Sequence, residues 1–309
     1  MKNSILISLL ALPLLLGVAS CDKIEAPYPN TASLEIDTTL YPGIYADYLA
    51  NEYPNFTTNE NTLRNVLIED YTGHTCFNCP NAAVVAENLH NANPERVFVA
   101  TIHAGPGQLG FQEPLSGPSF TTDHTCPEGI EYGNYFASGF GFSGNPSGNV
   151  NRTPTGSQMF TTDGLWGSRT SAILSDNNLK INLQSEFNYF ESTNGGFLHV
   201  EAEKLTSDAD DISLVVYVIL DSLVDWQIMP DNSSNPDYVH KEILIGTIDE
   251  QAWGQQIFTS TNVSGSKIIK DYSYEIPASY DKDNMHLLIY AYNEDTKEVY
   301  QVIKQKFTN

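Results

Sequence analysis

Two cysteines separated by two residues, Cys76 and Cys79, are the residues of this sequence best suited to chemistry. They follow an apolar run and precede a helical stretch, so they lie where a strand passes into a helix. The free N–H groups and positive dipole of a helix N-terminus stabilise a thiolate on the first cysteine. Cys76 would attack a disulfide and Cys79 would resolve the mixed intermediate. Pro80 fits because the first helical turn has no N–H partner to lose.

A C-x-x-C beside a strand–helix–strand unit is typical of thioredoxin-like redox proteins, and two more residues resemble that pattern. Pro146 precedes a predicted strand, where thioredoxin-like folds place a cis-proline next to the substrate chain. Asp70 lies six residues before the first cysteine. It resembles the buried acid that takes a proton from the resolving thiol. An exposed carboxylate at the strand end is the alternative interpretation.

Three histidines are candidates to tune this site. His103 is the strongest, because it ends the second strand at the carboxyl edge of a parallel sheet, where sites form. His74 precedes the first cysteine by two residues, and His124 lies beside Cys126. The Phe-Asn pair inside the motif matches neither the Gly-Pro of reductants nor the Pro-His of strong oxidants, so the direction of electron flow stays open.

Two alternatives for the same cysteines stay open. Exported proteins use disulfides as structural cross-links, and a Cys76–Cys79 bond without turnover would leave Cys126 as a free thiol. Zinc is the other alternative, since these three cysteines and His124 would form a Cys₃His set. The spacing of His124 and Cys126 is tight for two ligands, so we predict no metal and no cofactor. Cys126 remains a candidate redox accessory.

Residues 1–20 are predicted to be a lipoprotein signal peptide. Lys2 precedes a short apolar run that ends in small residues. The stretch Val18-Ala19-Ser20-Cys21 resembles the lipobox of bacterial lipoproteins, which implies cleavage before Cys21 and lipid attachment to it. Several acyl chains on one residue hold a protein stably at a membrane. An ordinary secreted protein is the alternative.

Composition excludes nucleic acid as a partner and supports a folded core. The chain has 309 residues, with 38 acidic against 15 basic side chains and a formal charge of −23. Binding nucleic acid depends on Lys and Arg that neutralise phosphates. The 41% hydrophobic content is sufficient to bury a core.

The hydrophobic patterns predict an α/β part followed by an all-β part. Apolar runs at 65–71 and 96–102, joined by a helical stretch at 81–91, predict a right-handed βαβ unit with parallel strands. Residues 105–145 are rich in Gly, Pro, Ser and Phe and are predicted to be an insertion with one helix at 127–136. From residue 179 onward, short strands separated by turn residues predict an antiparallel sandwich.

We therefore predict a thioredoxin-like domain over residues 61–176 and an immunoglobulin-like antiparallel β-sandwich over residues 177–309. Residues 21–60 contain four prolines and are predicted to form the lipidated cysteine and a tether. An edge strand around Leu34-Glu35-Ile36 is expected within this tether.

Several segments resemble a family of outer-membrane lipoproteins related to the 28-kilodalton outer membrane protein. They comprise residues 66–80, 102–105, 145–152, 238–244 and 253–254. The resemblance implies a thioredoxin-like domain fused to a β-sandwich at the outer membrane, facing the periplasm or the cell surface. It also implies a role as an adhesin or receptor.

Two classes of function follow from these residues. The first is a thiol–disulfide oxidoreductase that acts on exported thiol or disulfide proteins, with Asp70 or His103 as proton partner and Pro146 as substrate-strand clamp. The second is a cell-surface binding or adhesion lipoprotein for a host or envelope ligand, with a purely structural disulfide. Exposure distinguishes them, because a catalytic Cys76 must be accessible.

Overall fold

The computed structural model describes residues 36–156 and 158–308, so Cys21 and the predicted signal peptide lie outside the described residues. The helices are α1 (Tyr45–Asn51), α2 (Cys79–Ala92), α3 (Pro127–Phe136) and α4 (Trp166–Asp176). The strands of the first half are β1 (Val66–Thr72), β2 (Val97–His103) and β3 (Ser147–Val150). The strands of the second half are β4 (Ile181–Phe190), β5 (Gly195–Lys204), β6 (Ile212–Ile228), β7 (Ser234–Thr247), β8 (Gln255–Phe258), β9 (Lys267–Glu275), β10 (Met285–Asn293) and β11 (Val299–Lys306). None of the described helices is long and apolar enough to cross a bilayer.

The predicted βαβ unit is present. Strands β1 and β2 pair in parallel along their whole length, from Val66 opposite Val97 to Thr72 opposite His103, and α2 connects them. Ala82 of α2 packs with Val66 and other apolar residues on one face of these strands. Every residue of β1 is buried, because helices cover one face of the sheet and the main core covers the other.

Strand β3 follows the bond between Asn145 and Pro146, which is cis as predicted. It pairs with β1 in the antiparallel direction. A Cβ on Gly148 would lie 2.5 Å from the Trp166 ring of α4, so only glycine lets this helix pack so closely on the strand.

One sheet contains strands from both halves of the chain, although the sequence predicts two separate domains. Its order is β11-β10-β6-β7-β2-β1-β3, with β8 paired to β6. Strand β7 lies parallel to β2, with Thr101 opposite Ile243. Without β7, the outer edge of β2 would present unpaired backbone groups. The α/β half and the all-β half therefore share a sheet, and the boundary at residues 176 and 177 stays a prediction.

The second sheet is antiparallel, with the order β4-β5-β9. Leu198 of this sheet and Leu287 of the large sheet belong to the same buried apolar cluster. The structure is thus mixed α/β with two sheets around a common core. Most of its later strands are longer than predicted, and β6 extends over 17 residues.

Residues 36–60 differ from the predicted tether, because they pack onto the second sheet. A 3₁₀ turn spans Thr38–Leu40 and α1 follows it. Tyr48 of α1 is fully buried in an aromatic cluster with Phe197 of β5. Burying aromatic surface of this kind holds the segment in place. Ile36 is not in a strand, and Leu34 and Glu35 lie outside the described residues.

A long hairpin extends from the large sheet over the carboxyl ends of β1 and β2. We call residues 221–241 the arm: it consists of the end of β6 and the beginning of β7. The two strands pair from Ser222 opposite Lys241 to Ile228 opposite Ser234. Its residues are mostly exposed on the outer side. The arm brings residues from the second half of the chain to the predicted site.

Candidate functional site

Cys76 and Cys79 form a disulfide, with Cα atoms 5.4 Å apart. Cys79 begins α2 and Pro80 follows it in the first turn, so the cysteines lie at the helix N-terminus as predicted. Both cysteines are only 2% exposed, although Phe77 between them is 42% exposed. The accessible Cys76 that catalysis requires is therefore not observed.

The arm covers the disulfide from one side. The amide Nε2 of Gln227 donates a hydrogen bond of 3.0 Å to the carbonyl oxygen of Cys76. The backbone N–H of Ile228 donates to the carbonyl of His74 at 2.9 Å. These bonds fix the arm directly on the loop that contains the first cysteine.

The insertion covers the same loop from another side. The backbone N–H of Thr75 donates to the carbonyl of Phe111 at 3.1 Å. A Cβ on Gly73 would lie only 2.5 Å from that carbonyl oxygen, so this close approach requires glycine. Gln112 is buried and its side-chain amide donates to the carbonyl of Thr72. The cysteine loop is thus enclosed between the insertion and the arm.

Asp70 is buried, which excludes the exposed alternative. It is 1% exposed, and neither carboxyl oxygen has a hydrogen-bond partner. Burial, with a smaller effect from the negative charge of Asp163, raises the pKa of Asp70 to about 8. Two residues earlier, Ile68 packs against the face of β1 that α2 covers, and strand alternation places Asp70 on that face. A carboxyl group with a raised pKa therefore lies beneath the helix that begins with Cys79.

The cis-proline site is held by side chains of the insertion and of the preceding residue. Asn145 donates from Nδ2 to the carbonyl of Ala104 at 2.9 Å. Gln112 donates to Oδ1 of Asn145 at 3.2 Å. Pro146 is followed by Ser147, which pairs with Tyr71 of β1. The region beside the cis-proline is thus linked to the same insertion that covers the cysteine loop.

The three nominated histidines, His74, His103 and His124, come together, and a fourth joins them. All are buried, and His240 arrives from the arm. Burial holds the pKa of His103 well below its usual range, and it lowers the pKa of both His124 and His240 to about 4. We call these four residues the histidine cluster.

No sequence pattern predicts His240, Gln227 and Asp225 as site residues. Asp225 Oδ2 lies 3.0 Å from Nε2 of His124. These residues are more than 100 positions from the C-x-x-C, and no local spacing connects them to it. His240 lies in the segment 238–244, which resembles the family, but nothing in that segment predicts that this histidine lies near the disulfide.

Cys126 does not join the disulfide and is a buried free thiol. Its Sγ accepts a hydrogen bond from the N–H of Gly129 and caps α3. Burial raises the pKa of this thiol well above its usual range. Because Cys76 and Cys79 are bonded to each other, they do not form the Cys₃His zinc set.

A cleft of about 550 Å³ lies between α2 and the arm, which is within the size range of small-molecule sites. Cys79, Val84 and Tyr238 contribute to its lining. Lys241 of the arm and Glu87 of α2 form an ion pair of 2.6 Å between the two walls. The cleft thus combines apolar surface with paired charges next to the covered disulfide.

Fold and site together define a mixed α/β protein with a covered C-x-x-C disulfide. The family model described as Outer membrane protein Omp28 matches residues 133–309. The chain therefore belongs to the Omp28 family, which confirms the resemblance and supports an outer-membrane location.

Solved structures that match the chain include two from Porphyromonas gingivalis. HBP35 of Porphyromonas gingivalis is 14% identical, covers 79% of this chain and 75% of its own, and has a TM-score of 0.59. That likeness concerns the fold alone. A domain of the outer membrane lipoprotein Omp28 from Porphyromonas gingivalis is 20% identical, covers 42% of this chain and 88% of its own, and has a TM-score of 0.28. No curated protein matches the chain.

Proposed function

We propose that this protein is a lipid-anchored outer-membrane binding protein in which Cys76–Cys79 is a structural disulfide on a thioredoxin-like scaffold. The burial of Cys76 carries the proposal. A catalytic thiolate must reach the sulfur of a substrate disulfide. Here the side chain of Gln227 donates a hydrogen bond to the backbone of Cys76 on one side, and the carbonyl of Phe111 accepts one from Thr75 on the other.

The topology supports a thioredoxin-like scaffold. Strand β1 lies between a parallel β2 and an antiparallel β3, and the C-x-x-C follows β1 while the cis-proline precedes β3. Gly148 of β3 forms an antiparallel bridge to Thr161, which takes the place of a fourth strand. Helix α4 follows and packs on this face. This order matches the one expected of a thioredoxin-like unit, with a bridge in place of the last strand.

Membership in an outer-membrane family supports the anchor on Cys21. A signal peptide ending in a lipobox-like stretch, followed by cysteine, fits a protein that is held at this membrane by lipid. The membrane is then one partner, and a host or envelope molecule bound at the protein surface is the other. We propose the cleft between α2 and the arm as its binding site, because Val84 and Val239 leave apolar surface exposed there.

The reduction potential of Cys76–Cys79 tests this function. We would equilibrate the chain from residue 22 onward with a glutathione series and quantify free thiols, using Cys126→Ala to remove the third thiol. A structural bond gives a potential below about −300 mV. A potential between about −270 and −120 mV, as in catalytic thioredoxin-like proteins, would contradict the proposal.

Thiol–disulfide exchange is the second candidate function, and the buried Asp70 favours it. A carboxyl with a pKa of about 8 beneath α2 suits proton transfer at neutral pH. Catalysis would require the arm to leave the cysteine loop. Turnover of a disulfide-bonded protein substrate by the unmodified chain, abolished by Cys76→Ser, would establish this function instead.

A further inference from the structure

The histidine cluster gathers side chains from four separate segments. His74 follows β1, His103 ends β2, His124 precedes α3 and His240 lies in β7. The ring centroids of His103 and His124 are 5.1 Å apart, as are those of His124 and His240. The rings of His103 and His240 are 5.6 Å apart. Three of the rings therefore form a nearly equilateral triangle.

We propose that His103, His124 and His240 bind a divalent transition-metal ion, with Zn²⁺ as the best match. The centre of their triangle lies about 3 Å from each ring centroid. An imidazole nitrogen lies about 1.1 Å from its ring centroid, so nitrogens turned to the centre would be about 2 Å from an ion, the usual Zn–N distance. Imidazole suits zinc and its neighbours in the first transition row.

The unpaired ring nitrogens of His103 support an ion at this position. Both of its ring nitrogens are buried and neither has a hydrogen-bond partner. An unsatisfied buried polar group costs free energy, and native proteins have few of them. An ion at the triangle centre would provide the missing partner for one nitrogen.

The other two histidines have acceptors that orient them. Nε2 of His124 lies 3.0 Å from Oδ2 of Asp225, although without the alignment of a hydrogen bond. Nε2 of His240 lies 3.3 Å from the carbonyl oxygen of Trp226. Metal-bound histidines usually donate their second N–H to a carboxylate or a carbonyl. Asp225 and Trp226 provide these two acceptors, which leaves Nδ1 of each ring for the ion.

The charges around the rings suit a metal ion, which histidine binds as the neutral imidazole. The carboxylate of Asp225 lies beside His124, and the ring centroid of the neutral neighbour His74 lies 5.4 Å from that of His124. A neutral trio beside one carboxylate favours a cation over an anion.

Binding requires rotation of the rings. Across residues 36–156 and 158–308, no three His, Cys, Asp or Glu side chains are arranged to hold an ion without such a change. Rotation of histidine about χ2 meets only a broad and shallow preference. His240 also lines the cleft, which provides a route for an ion from solvent.

Metal titration tests the site. We would strip the chain from residue 22 onward, which contains every described residue, with a chelator and add Co²⁺ and then Zn²⁺. We expect one equivalent of Co²⁺ with the intense visible bands of a four-coordinate ion, displaced by one equivalent of Zn²⁺. Absence of a stoichiometric site, or only the weak bands of six-coordinate Co²⁺, would overturn the proposal.

Variants identify the ligands. His103→Leu removes a side chain that makes no hydrogen bond, so the variant should fold, and we expect binding about 100-fold weaker or lost. His240→Leu should have the same effect, and Asp225→Asn should weaken binding about 10-fold through orientation of His124. His90→Asn is the matched control, because asparagine can keep the 2.7 Å contact of Nδ1 with the Val97 carbonyl. Unchanged binding in both leucine variants would refute this site.

Discussion

Two sets of buried ionisable side chains lie at the central sheet, and they differ in whether these side chains are paired with a partner. In the first, Arg152 donates to both carboxylate oxygens of Glu69, at 2.9 and 2.6 Å. Tyr217 adds a bond of 2.8 Å to the same carboxylate. In the second, at the carboxyl ends of β1 and β2, Asp70 and His103 have no hydrogen-bond partner on any side-chain polar atom.

We infer from this difference that the paired set stabilises the fold and that the unpaired set belongs to the proposed sites. Glu69 and Asp70 are neighbours on β1 and point to opposite faces. Burial acts to raise the pKa of Glu69, but the charge and hydrogen bonds of Arg152 hold it below its usual range. Asp70 has no such partner, and its pKa rises instead. Satisfied buried networks fix a structure, whereas unsatisfied ionisable groups mark functional sites.

The largest effect should come from breaking the satisfied pair. Arg152→Met would leave Glu69 fully buried without its cation, and we expect the free energy of unfolding to fall by about 3–5 kcal/mol. The guanidinium also lies 5.1 Å from the Tyr132 ring and 5.5 Å from the Trp253 ring, so the aromatic contacts weaken too. Urea denaturation of both proteins measures the difference.

The double variant Glu69→Gln/Arg152→Met is the control for that experiment. It removes both charges, so it should be more stable than Arg152→Met alone. A loss below about 1 kcal/mol in the single variant would show that the pair does not stabilise the fold.

A pH-dependent effect should follow from Asp70. Between pH 4 and pH 8 the folded state keeps a proton that the unfolded state has released, because the pKa is about 8 when folded and 3.8 ordinarily. The contribution of Asp70 to the free energy of unfolding therefore falls as pH rises through this range. Asp70→Asn should lack this loss and be more stable than the wild type by about 3 kcal/mol at pH 6, with almost no gain near pH 4. Parallel stability curves for the two proteins from pH 4 to pH 8 would show that Asp70 has an ordinary pKa.

The covered disulfide should have a smaller effect. The double variant Cys76→Ala/Cys79→Ala opens a four-residue loop, and we expect a loss of about 2 kcal/mol from the entropy of the unfolded chain. Reduced wild-type protein should show a similar loss. Equal stability of the oxidised and reduced forms would favour a redox-active pair and contradict a structural role of the disulfide.

Local patterns predicted the parts of the site that are close in sequence. The C-x-x-C, the cis-proline and the helix at 127–136 depend on neighbouring residues, and the structure places all three as predicted. The arm could not be predicted, because at Asp221 β6 changes from a fully buried run to a segment of mixed exposure, which no longer shows the apolar pattern of a buried strand. The pairing of β7 with β2 joins Thr101 and Ile243 across 142 positions, and no periodicity reveals such a contact. Those long-range contacts bury Cys76 and bring His240 to the other histidines.

The smallest effect should come from His103 in the metal-free protein. It tests directly whether an unpaired buried side chain contributes to stability as the Glu69–Arg152 pair does. Leucine at this position removes two buried nitrogens that have no partner, so His103→Leu should leave stability unchanged or increase it by about 1 kcal/mol. Thermal denaturation in chelator measures this change. Saturating Zn²⁺ should then raise the Tm of the wild type but not that of the variant, because an ion that binds only the folded state stabilises it. A loss of more than about 2 kcal/mol in chelator would mean that His103 makes a contact that stabilises the fold. The two sets would then serve the same structural purpose.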